Sequence, residues 1–179
     1  CKAGGGVGVT ALNVTVPAGA QVARFALFDT ETSGHASGAA DDLDLLVLNS
    51  AGTTVGTSGG ATANEQVTLM NPAAGTYKVC VIGYAPNNGS ATYTLSSWVV
   101  SPSDVGGNMK VMLPSTAYTG GTATAGVSWS GLTAGKRYLG ALQYVVSGAT
   151  QGTTLIEVDA TDPVPLADGN RVAAAPRAQ

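Results

Sequence analysis

Apolar and polar residues alternate with a period of two along most of the first hundred residues. This alternation predicts strands over 11–16, 21–28, 43–48, 53–57, 65–70, 76–84 and 91–100. Leu45 and Val47, Val67 and Leu69, and Tyr77, Val79 and Val81 fall on one face of their respective strands and form the expected core. Pro17-Ala-Gly19, Asn49-Ser-Ala-Gly52, Asn71-Pro-Ala-Ala-Gly75 and Pro86-Asn-Asn-Gly89 separate them. Asn and Gly tolerate positive φ, and Pro fixes φ while removing a donor, so each is a turn with a mechanism. No stretch carries a capped helical stripe. Seven strands in so short a span fit an all-β fold, an antiparallel β-sandwich of two sheets.

The pattern breaks at Ser101-Pro-Ser-Asp-Val-Gly-Gly107 and resumes with strands over 109–113, 122–129, 136–146 and 153–158. Both faces of 136–146 are apolar, with Tyr138, Leu142, Tyr144 and Val146 on one and Leu139, Ala141 and Val145 on the other. That predicts a central strand covered on both sides. The expected organisation is a first β module at 1–101, a small second β module at 102–160, and a Pro- and Ala-rich tail or linker at 161–179.

Composition narrows the function. Charged residues make up 11% of the 179 positions, against about 25% in ordinary soluble domains. The net charge is -3 with no cluster of Lys or Arg, so a nucleic-acid partner is not expected. No apolar run reaches the roughly 20 residues of a membrane span. Two cysteines, Cys1 and Cys80, leave several readings open: a disulfide in an oxidising compartment, a free structural thiol at Cys80, or an acylated Cys1 followed by a flexible linker, as in a surface lipoprotein.

Asp42-Leu-Asp-Leu-Leu-Val-Leu-Asn-Ser-Ala-Gly52, Asn64-Glu-Gln-Val-Thr-Leu69, Asn71-Pro-Ala-Ala-Gly-Thr-Tyr-Lys-Val79 and Ala91-Thr-Tyr-Thr-Leu95 occur in that order, and together they resemble the bacterial pre-peptidase C-terminal domain. Val127-Ser-Trp-Ser-Gly-Leu-Thr-Ala-Gly-Lys-Arg-Tyr-Leu-Gly140 is similar to the fibronectin type III-like segment that ends many secreted subtilisin-like serine peptidases. The resemblance implies a jelly-roll-like sandwich followed by a fibronectin type III-like module. It also implies a secreted, extracellular location and a peptidase catalytic domain of the same precursor as partner. The function it implies is an ancillary region that stabilises the enzyme or aids binding to insoluble protein substrate. The alternative is a free-standing surface or adhesive β protein, lipid-anchored at Cys1, that meets protein or polysaccharide surfaces.

No catalytic residue is assigned. A serine-peptidase triad needs a histidine base, and the lone His35 sits in the Gly- and Ser-rich run Ser33-Gly-His-Ala-Ser-Gly38. Gly56-Thr57-Ser58 echoes a nucleophile segment only faintly, being followed by Gly59-Gly60. Asp41, Asp42 and Asp44 form the densest charge cluster and are the candidate metal ligands. Ca²⁺ takes six to eight oxygens, and Asp29, Glu31 and loop carbonyls are the further donors to hand; the plain reading is aspartates that cap loop amides. Trp129, in phase with Val127, is expected in the second core. Trp98, on the more polar side of its strand, is expected at the junction of the modules or as an exposed binding aromatic.

Overall fold

The computed structural model describes residues 1–36, 38, 40–104 and 108–161, with the side chains of all but His35 and Ala36. The structure is all-β, built of several antiparallel sheets, and divides into two units, Cys1–Asp104 and Val105–Gln179.

The first unit contains β1 (Val9–Val16), β2 (Val22–Leu27), β3 (Asp42–Leu48), β4 (Thr54–Ser58), β5 (Glu65–Met70), β6 (Gly75–Ala85) and β7 (Ser96–Val100). They form a four-stranded sheet in the order β1-β6-β3-β4 and a three-stranded sheet in the order β5-β2-β7. A 3-10 turn, Asp29–Glu31, and a four-residue helical turn, α1 (Ser33–Ala36), lie between β2 and β3. Six of the seven predicted strands differ from the observed ones by at most two residues at either end. The seventh is shorter. Ser33 N–H donates to Thr92 O and Thr94 N–H to Glu31 O, so 91–95 pairs with the loop after β2 and the strand starts only at Ser96.

Period-two alternation places one side chain in two on the inner face of each strand, and these residues share a single core. Phe25 and Leu27 of β2, Leu45 and Val47 of β3, Val67 of β5, and Tyr77, Val79 and Val81 of β6 belong to one buried cluster. Register supports this: Leu45 lies opposite Val81, Val47 opposite Val79, and Phe25 opposite Val67. Each such side chain contributes about 1.5–3 kcal/mol by leaving water.

The turns fix that register. Asn49 Oδ1 accepts from Ala51 N–H at 3.0 Å and Thr53 N–H at 2.9 Å, closing the β3–β4 hairpin. Between β5 and β6, Asn71 takes φ +47° and Gly75 φ +152°, and Tyr77 Oη donates to Ala73 O at 2.9 Å. The aromatic ring fills the core while its hydroxyl locks the turn that precedes it. At the β4 edge the sheets approach closely: a Cβ at Gly56 would sit 2.3 Å from Val67 Cγ1.

The second unit contains β8 (Met109–Met112), β9 (Gly126–Trp129), β10 (Arg137–Val146) and β11 (Ala149–Asp159), paired as two antiparallel ribbons, β8-β9 and β10-β11. Ser147 and Gly148, at φ +49° and +82°, close the β10-β11 hairpin with the two positive φ angles of a type I′ turn. For this reason β11 begins at Ala149 and not at 153. Met109 Sδ lies 3.1 Å from where a Cβ at Gly140 would be, so β8 rests on β10 through a glycine.

Two expectations for this unit are corrected. Among the described residues β10 pairs with β11 alone, and its last three residues, Tyr144, Val145 and Val146, are exposed; it is not a central strand covered on both faces. Trp129 is 49% exposed and not a core residue. Both have one cause: two ribbons of two strands have too few faces to enclose an interior, and none of residues 108–161 is buried. The tail at 162–179 lies outside the described residues.

Two outcomes follow. Gly56→Ala should destabilise the chain by about 1–3 kcal/mol in urea unfolding, since the added methyl overlaps Val67. Adding Val67→Ala should cost less than the two single effects summed. A fragment covering 108–161 should show no cooperative urea transition, whereas 1–104 should retain one; a sigmoidal curve from the smaller fragment would show a core that burial does not reveal.

Candidate functional site

The aspartates at the start of β3 are adjacent in sequence yet sit in different environments. Asp41, the last residue before the strand, is 1% exposed. Its Oδ2 accepts from Gly34 N–H at 2.7 Å and Ser33 Oγ at 3.3 Å, and its Oδ1 from Asn87 N–H at 2.9 Å. Ser33 Oγ in turn accepts from Thr92 N–H at 3.0 Å. One carboxylate therefore ties α1 to the loop after β6. Burial pushes its pKa up, but hydrogen bonds from Asn87, Gly34, Ser33 and Thr32 outweigh that and hold the carboxyl below its ordinary value.

Asp42 and Asp44 lie on the other face of β3 from Leu43 and Leu45. Burial and the charge of Asp42 together raise the pKa of Asp44. Oδ1 of Asp42 is buried without a hydrogen-bond partner. Gly59, after β4, lies against the second carboxylate: a Cβ there would stand 2.9 Å from Asp44 Oδ1.

The structure does not bring the carboxylates of Asp41, Asp42 and Asp44 together at one point. Both oxygens of Asp41 are engaged by N–H and O–H donors, whereas a hard cation needs free oxygen lone pairs directed at one point. Among the described residues no group of three or more His, Cys, Asp or Glu side chains is placed to hold a metal. Asp29 is committed elsewhere. Its carboxylate accepts from Ala63 N–H at 2.7 Å and Asn64 Nδ2 at 2.6 Å, while its own N–H donates to Asn64 Oδ1. Glu31 contributes its carbonyl to Thr94.

Ser58 Oγ donates a short hydrogen bond to Glu65 Oε2 and accepts from Gln66 N–H at 3.1 Å. Glu65, 4% exposed, was not singled out from the sequence, although it is in phase with Val67 and Leu69 and so faces inward. The backbone of His35 lies in α1, and its side chain lies outside the described residues.

Cys1 and Cys80 form a disulfide across a sequence separation of 79 residues. Trp98 is half-buried on β7, directly across from Arg24 of β2, itself buried with Nε donating to Thr68 Oγ1 at 2.9 Å. The indole thus shares a sheet face with the buried Arg24. A scan against protein-family models finds no matching family, and a search of curated proteins finds no similar chain.

The opposite shifts of Asp41 and Asp44 give opposite pH dependences. With its folded pKa lowered, Asp41 contributes stability above its unfolded value near 3.8, and that contribution is lost as pH falls through the folded value. Asp44 holds its proton more tightly when folded, so its contribution is present in acid and lost as pH rises through the raised value. Asp41→Asn should therefore cost about 1.5–3 kcal/mol at neutral pH and flatten the acid limb of the stability curve. Asp44→Asn should stabilise at neutral pH and converge with the parent in acid. Urea unfolding across the acid range checks both signs.

Proposed function

We propose that the chain is the non-catalytic C-terminal ancillary region of a secreted bacterial serine peptidase. It comprises a jelly-roll-like β-sandwich of the pre-peptidase C-terminal type and a fibronectin type III-like segment, and it stabilises the enzyme or holds insoluble protein substrate against it. The observation that carries this reading is the Asn71 to Tyr77 turn. The residues behind the resemblance each have a mechanical task there, with two positive φ angles and the Tyr77 hydroxyl closing on Ala73. The disulfide is in keeping with an oxidising, extracytoplasmic location.

The same modules also suit a free-standing surface protein, but its lipid-anchored form meets a chemical obstacle. A diacylglyceryl thioether at Cys1 needs the sulfur that is bonded to Cys80. One sulfur cannot make both bonds.

Intact mass and N-terminal sequencing of the natively secreted protein decide between the readings. The ancillary role expects a peptidase domain joined to the N-terminal side of Cys1 in the precursor. It also expects the isolated chain to sediment with particles of insoluble protein without hydrolysing them. A signal peptide directly preceding Cys1 would overturn it.

A further inference from the structure

The chain before β1 runs back so that Cys1 and Lys2 reach the outward Cys80 and Lys78 of β6, while Gly8 continues the ladder with β6. Cys80 sits mid-strand on β6 between Val79 and Val81, which are both in the core cluster. Its own side chain must therefore point outward, and yet it is 0% exposed. Cys1 and the segment behind it help to cover it. Across the sheet its register partners are Ala11 of β1 and Leu46 of β3, so the covered spot is apolar.

Among the described residues, hydrogen bonds hold the segment at three places besides the disulfide. Lys78 Nζ donates to Lys2 O at 3.2 Å, Gly83 N–H donates to Gly8 O at 2.9 Å, and Gly6 and Val9 exchange N–H···O bonds at 3.0 Å. Of residues 1–8 only Cys1 and Gly5 are half-buried; the rest are exposed. Gly4, Gly5 and Gly8 stand at φ +96°, +109° and +73°, conformations that cost a free glycine-rich chain much of its entropy to adopt. No residue of this segment belongs to the core cluster.

We infer that residues 1–8 are a redox-releasable strap. Cleavage of Cys1–Cys80 by a dithiol reductant frees the segment and bares the Cys80 thiol, while the seven-stranded core stays folded. Cys80 is 0% exposed and Cys1 is half-buried, so the reductant's thiolate attacks Cys1 Sγ, and the Cys80 thiolate leaves and takes up a proton. The reductant's second thiolate then attacks its own sulfur in the mixed disulfide and releases the Cys1 thiolate, which is also protonated. Two electrons and two protons reach the protein, and the reductant ends as its disulfide. The device works because the covalent bond is strong and the remaining hold is weak. Breaking the one exposes the other to chain entropy.

The test is alkylation of Cys80 by iodoacetamide in the full chain, reduced with dithiothreitol, at increasing urea concentrations below the unfolding midpoint, with near-ultraviolet circular dichroism recorded alongside. Release of the strap alone gives a retained near-ultraviolet spectrum and an alkylation rate that does not change with urea. The amides of Gly6 and Val9 exchange at least tenfold faster than in the oxidised chain. Cys1→Ser should reproduce the rate without reductant. A rate that rises with the full urea dependence of global unfolding would overturn the inference, because Cys80 would then be reached only through the unfolded state. Loss of the near-ultraviolet spectrum on reduction would overturn it equally, since the bond would then be holding the whole sheet.

Discussion

Everything in the first unit depends on one core shared by two sheets. Phe25 and Leu27 from one sheet, and Leu45, Val47, Val79 and Val81 from the other, occupy a single interior. Their inward positions follow from a backbone period that nothing in the sequence interrupts. A one-residue slip of any strand would send its apolar set outward, and the turns prevent it: Asn49 clamps two amides, and Tyr77 fastens its own turn with its hydroxyl. The same requirement explains the second unit. It has the strand pattern and a sound hairpin turn, but its two ribbons leave none of the apolar residues at 108–161 fully buried.

A sheet that commits one face to a core must still settle the other, and this chain does so differently at each place. On β6 the outward Cys80 is covered with the help of the disulfide-held N-terminal segment. On β2 the outward Arg24 is buried with its guanidinium on Thr68, beside Trp98 on the neighbouring strand. On β3 the outward Asp42 and Asp44 are neighbours, and burial together with the charge of Asp42 raises the pKa of Asp44. These solutions differ in strength. Ordering a glycine-rich segment costs about 1–2 kcal/mol per residue, while each hydrogen bond returns about 0.5–1.5 kcal/mol, so only the covalent link makes the cover over β6 secure.

What was legible in the sequence was local. Alternation and turn chemistry located every strand, including the inward residues of β3, β5 and β6, because both act within a few residues of each other. The pairings that organise the loops were not legible. Asp29 finds Asn64 across 35 positions and Asp41 finds Asn87 across 46, and no spacing rule links such residues. The expectations of a doubly covered β10 and of a buried Trp129 fail for one physical reason: apolarity only permits burial, and burial needs further strands to pack against. Glu65 had a readable signal, its phase with Val67 and Leu69, that its charge concealed.

The aspartate cluster shows why spacing alone misleads about chemistry. Three carboxylates within four residues suggest a common ligand, but strand geometry sends Asp42 and Asp44 to one face and leaves Asp41 in the preceding loop, surrounded by amides. There N–H and O–H dipoles converge on the buried anion, and it organises two loops that share no strand. Its neighbours lack such donors, because they sit on a strand whose N–H groups are spent on β6 and β4. Gly59 closes over Asp44 without a side chain that could donate to it. The same residue type in one short run is thus a structural anchor at one position and an electrostatic burden at another, and backbone donors in reach decide which.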